Sequence, residues 1–280
     1  DINKSIYYFT LSADQNDSDA QSFLGLIFYD GKYISQNIDK SLHYLTLSAN
    51  QNDSEAQCLL GEIYFFGKHI KQDIDKSIHY FTLSAKQNNS CAQFNLGFLL
   101  YEGKYIKQDI NKSIYYLILS ANQDNSNAQY MLGILYFFSE YIKQDIIKSI
   151  YYLTLSANQN NLHAQFILGA IYYSGLYKKQ DFEKSIHYFK QASCFYDSRS
   201  KNNLGVIYKN GYGVEKNIYF AIEYFEESIR QKNDIYSLYN LIRIYYFGLD
   251  VEIDLIKVKQ FIEKINDISF QPINLLLYYI

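Results

Sequence analysis

Large apolar residues recur along the chain at helical spacing, in two kinds of segment that alternate. In the first kind, the apolar residues surround a leucine–glycine pair, as at Leu60, Ile63 and Tyr64. The second kind carries one apolar stripe, represented by Ile78 and Phe81, and begins after an aspartate. Links rich in asparagine, aspartate and glycine separate the segments, as is typical of turns between helices. The pattern predicts an all-α chain in which two types of helix alternate.

Both kinds of segment recur together every 36 residues. The glycines of the leucine–glycine pairs are Gly25, Gly61, Gly97, Gly133, Gly169 and Gly205. A second glycine follows six residues later in five copies, and Ser139 takes its place in the fourth. These second glycines are Gly31, Gly67, Gly103, Gly175 and Gly211. Agreement at so many positions indicates structural repeats, which must stack because a single helix pair cannot bury its apolar face alone.

Three local signals predict where the helices begin and end. Serine followed three residues later by glutamine, as at Ser54 and Gln57, is interpreted as a capping box that starts each first helix. The second glycine, such as Gly67, is placed to end that helix in a left-handed conformation. Asp73 is the predicted N-cap of a second helix. Its equivalents in later repeats are Asp109, Asp145 and Asp181. Ser139 is expected to make its helix end less favourable by roughly 1 kcal/mol.

The repeats predict a single solenoid over residues 1–280. We expect a half repeat at 1–16, then seven repeats, and a segment at 269–280 that is a partial repeat or a capping helix. The predicted repeats are 17–52, 53–88, 89–124, 125–160, 161–196, 197–233 and 234–268. We also expect that the array continues beyond both ends of this chain.

Composition disfavours several classes of protein. Hydrophobic residues make up 48% of the 280 residues and charged residues 20%, which is typical neither of a disordered nor of a membrane-embedded chain. No apolar run approaches the roughly 20 residues of a membrane span. The net charge of −3 lacks the basic excess of a nucleic-acid-binding surface, which counts against an RNA-binding helical repeat. The single proline agrees with helices joined by short links.

Cysteine usage bears on the cellular compartment. The three cysteines are Cys58, Cys91 and Cys194, and no two of them form a CxxC pair. This usage favours reduced thiols and a cytoplasmic location over a disulfide framework. A secretory or ER-luminal location stays open, because a targeting signal ahead of Asp1 would not be visible. No metal site is expected from these cysteines.

The assembled motif is AQxxLGxxYxxG followed by DxxKSIxYFxxSA. With this motif the chain resembles the Sel-one-like repeat family, relatives of tetratricopeptide repeats, over essentially its whole length. The resemblance implies a right-handed α-α superhelix of about seven stacked antiparallel helix pairs. It also implies a non-catalytic adaptor without a cofactor, whose partners are other proteins or peptides. The alternative is a docking or regulatory region of a larger signalling kinase or of a ubiquitin-ligase component in ER-associated degradation.

Two departures from the family pattern bear on packing. The family generally has alanine after the lysine of the second helix, whereas this chain has serine there, as at Ser77. Both residues are small, so the close approach of the helices should be kept. In the last repeat, Ile242 replaces the first glycine and Val258 replaces the small residue. If these two positions face each other, the last two helices must lie further apart.

Two motifs resemble chemical sites but are better explained as structure. Three histidines share a helical position that tyrosine fills in other repeats, which indicates packing or partial exposure rather than a metal site. These are His43, His79 and His187. Ser198 and Lys201 match the SxxK pattern of serine acylases, but the accompanying SDN and KTG elements are missing. We therefore assign no catalytic residue.

Two further motifs are also attributed to the repeat. Gly211 and Gly213 form a GxG that follows a helix, whereas the dinucleotide fingerprint needs a strand before it. NxS sequons such as Asn52 and Asn88 would carry glycans only in a secretory compartment. Such sequons arise readily in a chain rich in asparagine and serine, so neither motif changes the prediction.

The candidate site lies on the first helices. By resemblance to tetratricopeptide arrays, residues that flank the leucine–glycine pair line the concave groove of the superhelix. The predicted groove residues are Phe65, Phe94, Phe98, Tyr101, Tyr130, Ile134, Phe137, Phe166 and Tyr173. Solenoids present extended surfaces and aromatic residues dominate binding hot spots, so we expect a groove for an apolar polypeptide segment. The alternative is that these side chains only fill the space between repeats.

Overall fold

The computed structural model describes residues 2–138, 140–176, 179–194 and 197–268, which form fifteen α-helices and no β-strand. None of the helices in this described part is long and apolar enough to cross a bilayer. In chain order they are α1 (Ile2–Asp14), α2 (Ser18–Asp30), α3 (Ile38–Asn50), α4 (Ser54–Phe66), α5 (Ile74–Lys86), α6 (Ser90–Glu102), α7 (Ile110–Ala121), α8 (Ser126–Phe138), α9 (Ile146–Asn158), α10 (Leu162–Ser174), α11 (Phe182–Ser193), α12 (Ser198–Asn210), α13 (Ile218–Lys232), α14 (Ile235–Phe247) and α15 (Leu255–Ile268). The predicted all-α chain is confirmed.

The helices form two compact units, residues 1–144 and residues 145–280. In the first unit, α1 through α8 pack in chain order, each helix against the next. In the second unit, α9 through α15 do the same. This sequential stacking is the arrangement that a repeat of helix pairs predicts. Two predicted features, the helix end at Ser139 and the segment 269–280, lie outside the described residues.

Glycine in the leucine–glycine pair lets a first helix approach the second helix closely, at Gly25, Gly61, Gly97, Gly169 and Gly205. At Gly61, an added Cβ atom would lie 2.6 Å from the ring of Phe81, which is 2% exposed. At Gly97 the nearest atom would be 3.0 Å away, on Leu117. Because a close-packed interior has no room for a carbon atom at 2.6 Å, a buried ring on the second helix requires glycine on the first. Each of these pairs therefore packs a bare backbone surface against a large side chain.

The serine that stands where related repeats have alanine adds a hydrogen bond to this interface. Ser113 Oγ donates to the carbonyl oxygen of Gly97 at 2.7 Å, and Ser185 Oγ donates to that of Gly169 at 2.9 Å. Ser77 is equally buried, but its Oγ finds no hydrogen-bond partner among the described residues. Serine is therefore more than a small residue at this position, because in several repeats its hydroxyl group joins the two helices.

We expect Ser113→Ala to lower the free energy of unfolding by about 1 kcal/mol, because it removes a buried hydrogen bond between helices. Ser77→Ala is the matched control, and it should leave the stability unchanged or raise it slightly, since the Ser77 hydroxyl is buried without a partner. Urea denaturation followed by far-ultraviolet circular dichroism compares the two variants. Equal losses in both would show that the hydrogen bond contributes nothing.

The capping-box interpretation of the serine–glutamine motif is wrong. The N-cap of α4 is Asp53, whose side chain accepts a hydrogen bond from the backbone N–H of Ala56 at 3.1 Å, and Ser54 is already helical. Gln57 is buried and donates its Nε2 to the carbonyl oxygen of Ala49, in the preceding helix, at 3.0 Å. Because an aspartate or asparagine one residue earlier caps the helix, the glutamine is free to join one repeat to the next.

The other helix ends predicted within the described residues are confirmed. Asp73 caps α5 by accepting a hydrogen bond from the backbone N–H of Lys76 at 3.1 Å. The N-caps of α7, α9 and α11 are Asp109, Asp145 and Asp181. Gly103 ends α6 with a φ of 66°, a left-handed conformation that glycine adopts with least strain. The sequence therefore predicts these N-caps and left-handed helix ends correctly, because both depend on backbone groups a few residues away.

The last helix pair is packed through larger side chains. Ile242 of α14 is 3% exposed and Val258 of α15 is 7% exposed, and both belong to one apolar cluster that also contains Phe225 and Leu241. Aliphatic side chains thus occupy the two positions that hold glycine and a small residue in the earlier pairs. The wider separation of these two helices stays a prediction.

Candidate functional site

Three of the nine predicted groove residues line one cleft in the first unit. Phe65 lies on α4, Phe94 and Phe98 lie on α6, and all three are half-buried. The cleft has a volume of about 280 Å³. We call it the aromatic cleft. The residues that line it are Glu62, Phe65, Phe66, Phe81, Phe94, Asn95, Phe98 and Leu99. This volume is just below the roughly 300–1,000 Å³ of small-molecule pockets and suits one or two side chains of a partner.

The repeat brings these residues together because α4 and α6 are the first helices of neighbouring repeats and touch each other. Phe94 and Phe98 are one helical turn apart, and their rings stack with centroids 6.3 Å apart. Phe81 of α5 lies against the backbone of Gly61 and is almost completely buried. The aromatic cleft therefore has a floor that belongs to the core and walls that solvent still reaches.

Phe66 and Asn95 line the aromatic cleft but are not among the predicted residues. Phe66, the last residue of α4, is 69% exposed, and its ring meets that of Phe65 edge to face with centroids 5.3 Å apart. The equivalent residue of the next repeat is Glu102. The sequence could have indicated Phe66, because this position varies from phenylalanine to glutamate between repeats. A position that served only packing would stay apolar in every repeat.

A polar group borders the aromatic cleft where α4 meets the start of α6. The Cys91 thiol donates to Glu62 Oε1 at 3.3 Å, and Asn95 Nδ2 donates to the same oxygen at 3.4 Å. Cys58 lies beside them and is 4% exposed. The contact with the Cys91 thiol and the burial of the sulfur raise the pKa of Cys58 far above its usual range. The Cys58 thiol is therefore neutral at physiological pH.

The other four predicted residues of the first unit lie outside the aromatic cleft. Tyr101 meets the ring of Tyr141 edge to face, with centroids 6.3 Å apart. Tyr130 and Ile134 are half-buried on α8. Phe137 is 8% exposed, so little of its ring is open to a partner, and we leave it out of the proposed surface.

The two predicted residues of the second unit are partly covered by their neighbours. The guanidinium carbon of Arg199 lies 4.2 Å from the centroid of the Phe166 ring, in a cation–π contact. Tyr173 contacts Phe182 and Tyr212, with centroids 6.0 Å and 6.1 Å apart. These contacts favour the alternative that Phe166 and Tyr173 fill the space between repeats.

The corresponding surface of α12 and α14 is polar. Lys209 Nζ donates to Asn240 Oδ1 at 2.8 Å, and Ser237 Oγ donates to Asn202 Oδ1 at 3.1 Å. Burial and the nearby Arg243 lower the pKa of Lys209. The first helices thus differ in chemistry from repeat to repeat, with aromatic side chains on α4 and α6 and amide and cationic side chains on α12 and α14.

The other motifs singled out in the sequence have structural surroundings. The three histidines of the shared helical position are exposed, and each ring meets the adjacent tyrosine edge to face. Lys201 forms an ion pair with Glu227, while Ser198 is buried at the start of α12 and its carbonyl oxygen accepts a hydrogen bond from Ser228. Gly213 has a φ of 70° and packs against Phe182. None of these contacts builds a catalytic arrangement among the described residues.

Comparison with protein families finds repeats along most of the chain. A family model described as "Sel1 repeat" matches seven segments, residues 1–17, 18–53, 54–89, 92–125, 126–161, 162–194 and 198–233. The helix pair that contains Ile242 and Val258 follows the last matched segment. The comparison with curated proteins finds no match.

Two bacterial proteins of known structure superpose on this chain. A protective antigen present in uropathogenic Escherichia coli strains, described as displaying an SLR fold, superposes with a TM-score of 0.85 at 22% identity, over 92% of this chain and 55% of that chain. A Sel1 repeat protein from Oxalobacter formigenes superposes with a TM-score of 0.72 at 22% identity, over 96% and 78%. This chain thus spans only 55% of the length of the E. coli antigen. At identities this low, the superpositions show likeness of fold alone. That likeness confirms the predicted helical solenoid.

Proposed function

This chain belongs to the Sel1 repeat family, and from that membership we propose that it is a non-catalytic scaffold that binds partner polypeptides on the exposed faces of its first helices. Sel1 repeat proteins generally mediate protein–protein interaction. The finer part of the proposal is the binding surface, for which we select the aromatic cleft. The partner is a polypeptide that presents an apolar segment.

The observation that carries the proposal is that aromatic side chains remain partly exposed above a core that is already filled. Phe81 closes the core beneath the aromatic cleft, so the half-buried rings of Phe94 and Phe98 are not needed to fill it. Phe66 is 69% exposed at the rim. Exposed aromatic groups that border a cleft are typical of hot spots, where a partner gains most from burying them. A volume of about 280 Å³ admits one or two apolar side chains.

The polar edge of the aromatic cleft supports a polypeptide as the occupant. Glu62 and Asn95 line the cleft beside the phenylalanines, and they offer a carboxylate and an amide group. A few polar groups at the edge of an apolar site orient a ligand that carries its own donors and acceptors. A peptide backbone has such groups at every residue, so a bound segment would place a side chain over the rings and its N–H groups toward Glu62.

We expect Phe98→Ala to weaken the binding of a cleft-directed peptide by about 30-fold or more, the effect of losing a hot spot of about 2 kcal/mol. Peptides are first selected from a displayed random library on the full chain. The affinity of an enriched peptide is then measured calorimetrically for the wild type, Phe98→Ala and Phe94→Ala. Both variants should bind more weakly, because each removes one ring of the stacked pair.

Tyr115→Ala is the matched control, since Tyr115 is an aromatic residue of the same unit that is 59% exposed on a second helix. It should leave the affinity unchanged. Thermal unfolding confirms that each variant retains its fold. Enriched peptides that bind both phenylalanine variants as tightly as the wild type would refute the aromatic cleft as the binding surface.

A further inference from the structure

Two pairs of residues, each one helical turn apart, meet where α4 packs against α6. Cys58 and Glu62 lie on α4, and Cys91 and Asn95 lie on α6. The two sulfur atoms and a carboxylate oxygen of Glu62 all lie within 4.8 Å of one another. Two of the three cysteines of the chain thus converge on one acidic side chain, although they lie 33 positions apart in the sequence.

We propose that Cys58, Glu62 and Cys91 form a binding site for Zn²⁺. A thiolate is a soft ligand that selects zinc over magnesium and calcium, and a carboxylate oxygen is an accepted third ligand. Four-coordinate zinc with metal–sulfur bonds of about 2.3 Å holds its ligand atoms about 3.8 Å apart. Donor atoms that already lie within 4.8 Å of one another need to move by only about 1 Å, which side-chain rotation supplies.

Asn95 is placed to orient the ligands rather than to bind the metal. Its Nδ2 lies 3.4 Å from Glu62 Oε1 and 3.7 Å from Cys91 Sγ, so the amide group reaches both of these ligand atoms. Hydrogen bonds from such neighbours hold metal ligands in position and increase their affinity for the metal. With three protein ligands, the fourth position of the zinc ion is left to water.

The surroundings suit a cation that carries a double charge. Glu62 brings one negative charge, and binding of the ion releases the protons of the Cys58 and Cys91 thiols to solvent, which gives two thiolates. Cys58 is 4% exposed, so the ion would lie partly shielded from water, where its attraction for the thiolates is strong. Bound zinc would replace the hydrogen bond between Cys91 and Glu62 by two bonds to one ion and would tie α4 to α6.

The repeat explains why no sequence motif announces this site. The residue of α6 equivalent to Cys58 is Phe94, and Cys91 lies one helical turn before it. Helices α4 and α6, the first helices of successive repeats, contact each other, and there Cys91 lies close to Cys58. The site is therefore formed between repeats, and its ligand spacing reflects the period of the solenoid rather than a zinc-finger pattern.

We expect the reduced chain of residues 1–280 to bind one equivalent of Co²⁺, a spectroscopic stand-in for zinc, with the intense absorption of thiolate-to-cobalt charge transfer. Zinc should displace the cobalt and abolish this absorption. Cys91→Ser and Cys58→Ser should each weaken binding by about 100-fold or more, and Asn95→Ala by about 10-fold. Cys194→Ser is the matched control, because Cys194 is exposed and distant in sequence, and it should bind like the wild type.

A second measurement keeps the test independent of the fold of each variant. Zinc should raise the thermal unfolding temperature of the wild type and of Cys194→Ser, and should not raise that of Cys91→Ser, because only a native-state ligand stabilises the folded chain. Cobalt absorption that persists in Cys58→Ser and Cys91→Ser would overturn the proposal. A reduced chain that binds neither metal would also overturn the proposal. So would a chain in which Cys58 and Cys91 form a disulfide in air but bind no metal after reduction. Glu62 and Asn95 also line the aromatic cleft, so the peptide affinities are measured on the metal-free chain, where their outcome is independent of zinc binding.

Discussion

Phe189→Ala is expected to lower the free energy of unfolding by about 3–5 kcal/mol, as for other fully buried phenylalanines replaced by alanine. Phe189 is 0% exposed and forms an apolar cluster with Ile186, Leu204 and Ile207. Its ring also lies on the backbone of Gly169, where an added Cβ atom would be 2.7 Å away. Because the glycine offers no side chain that could move into the space, the cavity left by alanine would stay open.

Urea denaturation measures this loss, and Tyr151→Ala is the matched control in the same unit. Tyr151 is 57% exposed on α9, so its removal should change the stability by less than about 0.5 kcal/mol. Since neighbouring repeats stabilise one another, the loss at Phe189 should also lower the cooperativity of unfolding. A loss below about 1 kcal/mol for Phe189→Ala would contradict the packing described for this position.

Gly61→Val is expected to lower the free energy of unfolding by about 3 kcal/mol, the upper end of the range for overpacked cores. A Cβ atom at position 61 would lie 2.6 Å from Cδ1 and 2.7 Å from Cε1 of the Phe81 ring. That ring is 2% exposed, so moving it away from position 61 would disrupt the packing of the core around it. The higher helix propensity of valine offsets only about 0.5 kcal/mol of this loss.

Alanine variants at two glycines supply the control for this prediction. Gly97→Ala should be close to neutral, because the nearest atom, on Leu117, is 3.0 Å away and helix propensity favours alanine. Gly61→Ala should lose about 1–2 kcal/mol, because its neighbour is a ring. Combining Gly61→Val with Phe81→Leu should recover at least about 1 kcal/mol, the coupling expected of residues in contact. Gly61→Val with wild-type stability would refute the close contact.

Helix starts and ends show where sequence reasoning succeeds and where it fails. Asp73 and Gly103 were predictable because an N-cap and a left-handed helix end depend on a few neighbouring residues. The capping box at Ser54 and Gln57 was wrong although its spacing matched. A capping box is local, but the partner of Gln57 is the carbonyl oxygen of Ala49 in the preceding helix, and packing rather than spacing decides that contact.

The candidate site likewise has residues that the sequence predicted correctly and residues whose exposure it could not predict. Phe94 and Phe98 were predicted from their places relative to the leucine–glycine pair, and the structure brings both into one cleft with Phe65. Phe137 occupies the position equivalent to Phe65, two repeats later, but is 8% exposed. Whether a residue of the first helix remains accessible depends on the side chains of the neighbouring repeats, which differ from copy to copy. Periodicity identifies the face of the helix and cannot identify which of its residues are covered.

By itself the sequence determined the helices, their pairing and the period of the solenoid, because these follow from repeated local patterns of apolar, capping and turn residues. Only the tertiary structure decided which of these side chains meet across repeats. Gln57 joins one repeat to the previous one, and within a repeat the hydroxyl group of Ser113 donates a hydrogen bond to the carbonyl oxygen of Gly97. Cys58 and Cys91 come together at Glu62 for the same reason. Contacts between repeats depend on how neighbouring helices are aligned, and no pattern within one helix records that alignment.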